Sequence, residues 1–362
     1  WAEMFNARKM SNDFLKFLSN NEVEKLSEEA EGNSWLGINL NVLSIWDNKY
    51  SKSSKRFDTR FGDIKSVEPV RGERARLTLK NGVILEVDKT NHEDIGATIR
   101  VYDYELGELK FKWSRIEKIE FKQATGNVRE AFGKPNYARV DAGRKGTFTG
   151  LVHWGEDERF LEETIDGKDR NGDRSIPFRS IAKIVNRRGG ADITLRSGRE
   201  FFLTGTEDVN SGNSGIVVND PNIGQIKIPW KYFMEMEILD EVPQGFGFND
   251  FPVSQGLSAT VITIDGEKHE GLLAYDLDEA WEFEILDAND DEVEFKIPMR
   301  NIKNIIPKNY NYSSVVLRDG TDLLLGGSND VSDGNNGVLI FTTKDEKPIY
   351  VRWSKIDEII FD

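Results

Sequence analysis

Apolar and polar residues alternate with period two over most of this chain, the pattern of strands that bury one face. The alternation is broken at intervals by a step in which a large apolar residue is followed by two more at spacings of three. Six copies of the step occur: Phe61/Ile64/Val67, Trp113/Ile116/Ile119, Phe178/Ile181/Ile184, Trp230/Phe233/Met236, Met299/Ile302/Ile305 and Trp353/Ile356/Ile359. Successive copies start 52, 65, 52, 69 and 54 residues apart, so short and long spacings alternate, as they do when a two-part unit is repeated three times. A spacing of three suits one 3₁₀ turn, and the return to alternation suits a strand entering beside it.

Other segments repeat in step with this one. Leu77-Thr-Leu-Lys-Asn-Gly82, Ile193-Thr-Leu-Arg-Ser-Gly198 and Val315-Val-Leu-Arg-Asp-Gly320 predict three tight hairpins, with glycines 116 and 122 residues apart supplying the positive φ. Odd-numbered units open differently. Gly150-Leu-Val-His-Trp-Gly-Glu-Asp-Glu158 matches Gly271-Leu-Leu-Ala-Tyr-Asp-Leu-Asp-Glu279, and each leads into a strand ending in Asp166 or Asp287. In the first odd unit Trp1-Ala-Glu matches the later His153-Trp154-Gly155-Glu156, so the chain is expected to begin inside a module. There Met4, Phe5, Met10, Phe14, Phe17 and Leu18, then Val23 and Leu26, recur every three to four residues. With Ser11 and Asn21 as N-caps and Gly32 as a stop, they predict a helical insertion over about 4–31. Gly/Pro-bearing linkers are expected at 124–145 and 241–256.

The odd units, with a glycine-bent strand, an aromatic-acidic turn, a strand ending in Asp, a variable turn and a closing Ile-x-x-Ile, resemble the Sm-like small β-barrel over about 45 residues each. The short RNA-reading signatures of true Sm proteins are not apparent. The order of units, with its Asp-Val-x-x-Gly-Asn-x-Gly loop and Trp-x-x-Ile ending, also resembles a group of uncharacterised exported bacterial repeat proteins with no established activity. That resemblance implies an architecture and a location outside the cytoplasm, in the periplasm or at the cell surface of a bacterium.

Composition narrows the function. The 362 residues carry 48 basic and 63 acidic side chains, a net charge of -15, so phosphate neutralisation is unavailable as a source of affinity and no nucleic-acid partner is expected. No run of apolar residues reaches the roughly 18 to 20 needed to cross a bilayer as a helix. The chain has no cysteine, which removes disulfides, thiolate zinc sites and thiol nucleophiles together. Its three histidines, His92, His153 and His269, lie in unrelated contexts, and the position of His153 is Ala274 in the next copy, which excludes a shared catalytic role.

Oxygen-rich loops are the remaining candidate chemistry. Asp208-Val-Asn-Ser-Gly-Asn-Ser-Gly215 and Asp330-Val-Ser-Asp-Gly-Asn-Asn-Gly337 share one pattern, and Asp208, Asn210, Asn213, Asp330, Asp333 and Asn335 are candidate calcium ligands. The alternative is an Asx-turn, in which these side chains bond their own backbone. Glu156, Asp157 and Glu158, matched by Asp276, Asp278 and Glu279, form the acid cluster most worth watching, although solvated turns place acids in this way too. Trp113, Trp230 and Trp353 occupy the repeated closing position and are expected in a core or seam. Trp35, Trp46 and Trp281 are unrepeated and better suited to an exposed surface.

Together these readings predict an all-β chain of six tandem Sm-like modules in three pairs, at 1–72, 73–123, 124–190, 191–240, 241–310 and 311–362. A six-bladed β-propeller is the competing architecture. The expected function is a non-catalytic extracytoplasmic structural or interaction protein, without a cofactor, engaging a protein partner or a multi-subunit envelope complex. Phe14, Phe17, Leu18, Val23, Leu26 and Trp35 are the expected docking residues. A glycan- or calcium-binding module is the alternative.

Overall fold

In a computed structural model of the protein, residues 1–9, 55–71, 73–89, 94–103, 105–123, 133–155, 157–342 and 347–362 are described. The chain is all-β, built of antiparallel pairs, with no helix of seven or more residues among the described residues. Phe14, Phe17, Leu18, Val23, Leu26, Trp35 and Trp46 lie outside the described residues.

The first third supplies β1 (Met4–Lys9), β2 (Lys55–Arg60), β3 (Ile64–Val70), β4 (Arg74–Leu79), β5 (Ile84–Asp88), β6 (Ile99–Asp103), β7 (Gly107–Phe111) and β8 (Ile119–Glu120). Residues 4–9 are therefore strand, where a helix was expected to begin. Met4, Phe5 and Ala7 are buried against β2 and β5, and this two-sided pairing overrides the three-to-four spacing that suggested a helix. The sheet runs β2-β1-β5-β4-β3-β8, and β6 and β7 form a hairpin of their own.

The second third supplies β9 (Tyr137–Asp141), β10 (Thr147–Trp154), β11 (Thr164–Asp169), β12 (Gly172–Pro177), β13 (Ile181–Arg187), β14 (Gly190–Leu195), β15 (Glu200–Leu203), β16 (Ile216–Asp220), β17 (Gly224–Ile228) and β18 (Glu235–Ile238). β9 thus lies inside the stretch expected to be a linker. β9 and β10 form a hairpin, but β10 pairs next with β16 and β9 with β18. The stretch between them pairs within itself, β11 with β12 and β13 through β14 to β15, while β13 also pairs with β18. The boundary expected after residue 190 consequently runs through a hairpin, because strands of two successive sequence units complete one another.

The last third repeats this order with β19 (Ser258–Thr263), β20 (Lys268–Tyr275), β21 (Ile285–Asp290), β22 (Val293–Pro298), β23 (Ile302–Pro307), β24 (Tyr312–Leu317), β25 (Asp322–Gly326), β26 (Val338–Phe341), β27 (Ile349–Val351) and β28 (Ile356–Phe361). β20 pairs with β26, β19 with β28, β23 with β24 and β28, and β24 with β25. By position in the repeat, β1 to β8 correspond to β11 to β18.

All six apolar steps form the same turn. The backbone N–H three residues after the large apolar residue donates to that residue's carbonyl, as Ile64 does to Phe61, Ile116 to Trp113, Phe233 to Trp230 and Ile356 to Trp353. Five copies are single 3₁₀ turns. Gly150 and Gly271 explain the glycine bend of the opening strand. A Cβ would lie 2.1 Å from the Asn219 carbonyl oxygen at Gly150 and 2.5 Å from that of Phe341 at Gly271, so only glycine lets the crossing strand approach.

The chain divides into two compact units, one of residues 1–3, 123–251 and 289–296, the other of 4–122, 252–288 and 297–362. In the first, Trp154 is fully buried with its ring centroid 5.2 Å from Phe233 and 5.9 Å from Trp230. In the second, Phe5, Phe57, Ile64, Leu77, Leu79 and Phe283 share one core. Buried ion pairs tie the first third to the last within that unit. Arg300 donates to Asp63 and Ser254, and Lys9 lies 2.7 Å from Glu284 and 3.5 Å from Asp278. Burial works to lower the pKa of Lys9, but Glu284, Asp278 and Glu279 outweigh it and raise it above the usual lysine value.

Candidate functional site

The two Asp-Val loops use their oxygens to hold the strands. Asp208 sits on a single 3₁₀ turn, Glu207–Val209, and its Oδ2 accepts the backbone N–H of Asp166 at 2.6 Å. Asp330, on Asn329–Val331, accepts that of Asp287 at 2.7 Å in the same way. Asn213 Oδ1 accepts the Gly215 N–H at 2.9 Å, and Asn335 Oδ1 that of Gly337 at 2.8 Å, while the two Nδ2 groups donate to the carbonyls of Asp208 and Asp330. Asn210 Oδ1 accepts from Gly212, and Asp333 is exposed. The aromatic side chain ending the opening strand completes the staple: Trp154 Nε1 donates to the Asp208 carbonyl at 3.0 Å, and the Tyr275 hydroxyl donates to the Asp330 carbonyl. Each loop thereby joins β10 to β11, or β20 to β21, strands that do not form a hairpin with each other.

This bonding has the character of the Asx-turn reading. Among the described residues no group of three or more His, Asp or Glu side chains is arranged to hold a metal ion. Glu158 nevertheless stands apart electrostatically. Its partial burial, with the hydrogen bond and charge of Asp157 and the charge of Asp208, pushes its pKa up to about 8. His153 is buried on β10 with Nε2 3.3 Å from Glu3, which also lies 3.3 Å from Arg159. Burial alone would raise the Glu3 pKa, but His153 and Arg159 hold it down at about 2.

Trp230 and Trp353 are buried, as their repeated position suggests, whereas Trp113 is half-buried. Trp281 is also half-buried and stacks on Phe283 with planes 5° apart, so one face packs against the core. A cavity of about 350 Å³ lies between the β13–β14 turn at Arg187 and Arg188, the Asn210–Ser211 turn and Trp230. Its polar groups are partly engaged: Arg187 pairs with Asp192, and Asn186 Nδ2 donates to the carbonyls of Trp230 and Phe233.

A surface that sequence reasoning missed appears when the three copies are compared. Ile99, Val101 and Phe111 of β6 and β7 hold the positions of Ile216, Val218 and Ile228 in the second pair and of Val338, Ile340 and Val351 in the third. Val218 and Ile340 are 0% exposed, yet Val101 is 42% exposed; Ile228 and Val351 are 0% and 7% exposed, yet Phe111 is 40% exposed. No family model matches the chain, and neither the curated proteins nor the solved structures compared with it contain a match.

Proposed function

We propose that the protein is a non-catalytic interaction protein of the bacterial cell envelope, outside the cytoplasm, whose Sm-like small β-barrel modules are interlocked in pairs and present sheet edges and faces to a protein partner. The observation that carries this reading is that polar residues repeated between copies do the same structural work in each copy. Asp208 and Asp330 staple a strand, Asn213 and Asn335 close a turn, and Glu163 and Glu284 accept the backbone N–H groups of residues 160 and 281. Selection that had duplicated a reactive centre would leave repeated polar groups facing a common cleft; here they face backbone. The six turns and the crossing strand order support paired small modules over a propeller, whose blades are consecutive four-stranded sheets.

The test is native separation of gently solubilised envelope, followed by calorimetry on the purified chain. The reading expects migration in an assembly larger than the 41.2 kDa chain and flat isotherms with Ca²⁺ and a glycan panel. Saturable Ca²⁺ or glycan heat that disappears in Asp208→Ala would overturn it in favour of a ligand-binding module.

A further inference from the structure

We infer that the cavity between the β13–β14 turn and the Asn210–Ser211 turn is a binding site for an organic monocarboxylate with a compact apolar body. This goes beyond the interaction-protein reading and does not depend on it. Every residue lining the cavity belongs to the unit that holds 123–251. At about 350 Å³ it stands at the small end of ligand pockets, which run from about 300 to 1,000 Å³.

Its rim is positive in a chain whose net charge is -15. Arg187 Nε lies 2.6 Å from Asp192 Oδ2, so that pair is neutral. Arg188 has no ion pair or hydrogen bond among the described residues, which leaves one uncompensated guanidinium. Ser211, also on the wall, has no hydrogen bond at its hydroxyl or its backbone N–H. The side-chain amides are already committed. Asn186 Nδ2 donates to the carbonyls of Trp230 and Phe233, Asn210 Nδ2 donates to that of Thr206, and Asn210 Oδ1 accepts the Gly212 N–H. The free groups are therefore donors around a single positive charge, the complement of a carboxylate.

The third copy shows what closes this space when no ligand is needed. Four residues lie between paired Asn186 and Ala191, and five between the equivalent Pro307 and Ser313. The longer turn reaches the neighbouring loop, where the Asp333 N–H donates to the Tyr310 carbonyl at 2.8 Å. Ser211 holds the position of Asp333 in the second copy, and there the shorter turn leaves the same backbone donor open. Two glycines make that turn. Gly189 takes φ 82°, and a Cβ at Gly190 would lie 2.2 Å from the Leu203 carbonyl oxygen.

The remaining walls narrow the ligand. A dianion such as phosphate is repelled twice as strongly by the net charge and meets one unpaired arginine only. A sugar ring needs an open aromatic face, but Trp230 is 8% exposed, with Phe233 and Trp154 centroids 5.5 and 5.9 Å away. Trp230 and the exposed Met234 offer apolar contact to a hydrocarbon body beside the carboxylate. A free acid and the C-terminal residue of a polypeptide share this chemistry.

The experiment is calorimetry, with amide shifts by NMR, on the full chain and three probes: isocaproate, N-acetyl-leucine and N-acetyl-leucinamide. Saturable binding of a carboxylate is expected, with shifts at the Arg188, Gly189 and Ser211 amides and at least tenfold weaker binding of the amide probe. Isocaproate binding as tightly as N-acetyl-leucine assigns a free acid, and N-acetyl-leucine binding at least tenfold more tightly assigns a polypeptide end. Arg188→Glu, in an exposed turn, weakens binding at least tenfold. Ser211→Phe, which fills the cavity from another wall, does the same. The proposal is overturned if neither carboxylate saturates, if the amide probe binds equally, if inorganic phosphate binds more tightly than both acids, or if neither substitution matters. None of these results alters the migration of a native assembly or the Ca²⁺ and glycan isotherms, so failure here is distinct from failure of the interaction-protein reading.

Discussion

Gly150 shows how a single residue fixes the path of a strand. Its missing Cβ is where the Asn219 carbonyl passes, and backbone cannot move aside as a flexible side chain can. Gly150→Ala should therefore cost about 3 kcal/mol, at the upper end of overpacking effects, and Gly271→Ala a similar amount; urea denaturation of each variant measures this. Glu158 gives a pH signature. Its carboxyl holds a proton up to about pH 8 in the folded chain but only to an ordinary glutamate value when unfolded. The native state then binds more protons than the unfolded one between those limits, so stability falls as pH rises through this window and levels off above it. Screening at this half-exposed position leaves about 1 kcal/mol of that penalty. Glu158→Gln should accordingly raise the melting temperature at pH 9 and leave it unchanged at pH 4.

Asp208 and Asp330 act at the same scale, each accepting a backbone N–H across the gap between strands that are not hairpin neighbours. Asp330→Ala should cost about 1.5–3 kcal/mol, the range for a hydrogen bond to a charged group, read from thermal or urea unfolding. These two loops were legible in the sequence as paired oxygen-rich turns. Their targets, the amides of Asp166 and Asp287, were not, because a contact over more than 40 residues leaves no local pattern.

Among elements, the single turn with its buried apolar plug is the most constant. Alternating chemistry and a three-residue spacing revealed all six copies, since both follow from how side chains project from a 3₁₀ turn and a strand. How deeply each copy is buried follows from what packs on top, which the spacing does not encode. Trp353 is 6% exposed and Trp113 half-buried. Trp353→Ala should cost about 3–5 kcal/mol, and Trp113→Ala about half of that or less, a difference that calorimetric unfolding of the two variants would register. The β1 strand was misread for a related reason: Met4, Phe5 and Met10 satisfy a helical spacing, and pairing with β2 and β5, both distant in sequence, selects the extended form.

At the scale of the whole molecule, strand order is the feature that periodicity did not reveal. The sequence marked units ending near residue 190 and again near 240, whereas pairing runs from β10 to β16 and from β9 to β18 across the first of those marks. Alternation states which face of a strand is buried and nothing about which strand lies beside it. A polypeptide of residues 124–190 should therefore lack cooperative unfolding and dispersed amide resonances on its own, although it matches one sequence unit from end to end. Dispersed resonances from that fragment would show that the sequence unit is also the folding unit.

The crossing order also sets a timetable for synthesis. β10 is finished at Trp154, but β16, which lies along it, begins only at Ile216. At about 5–20 residues per second, the ribosome leaves this hairpin without its neighbour for about 3–12 seconds, and the same wait recurs for β20 and β26. Nascent chains of this protein must pass through those intervals with an apolar ribbon uncovered, so their yield should depend on how well a chaperone shields it before the later strands arrive.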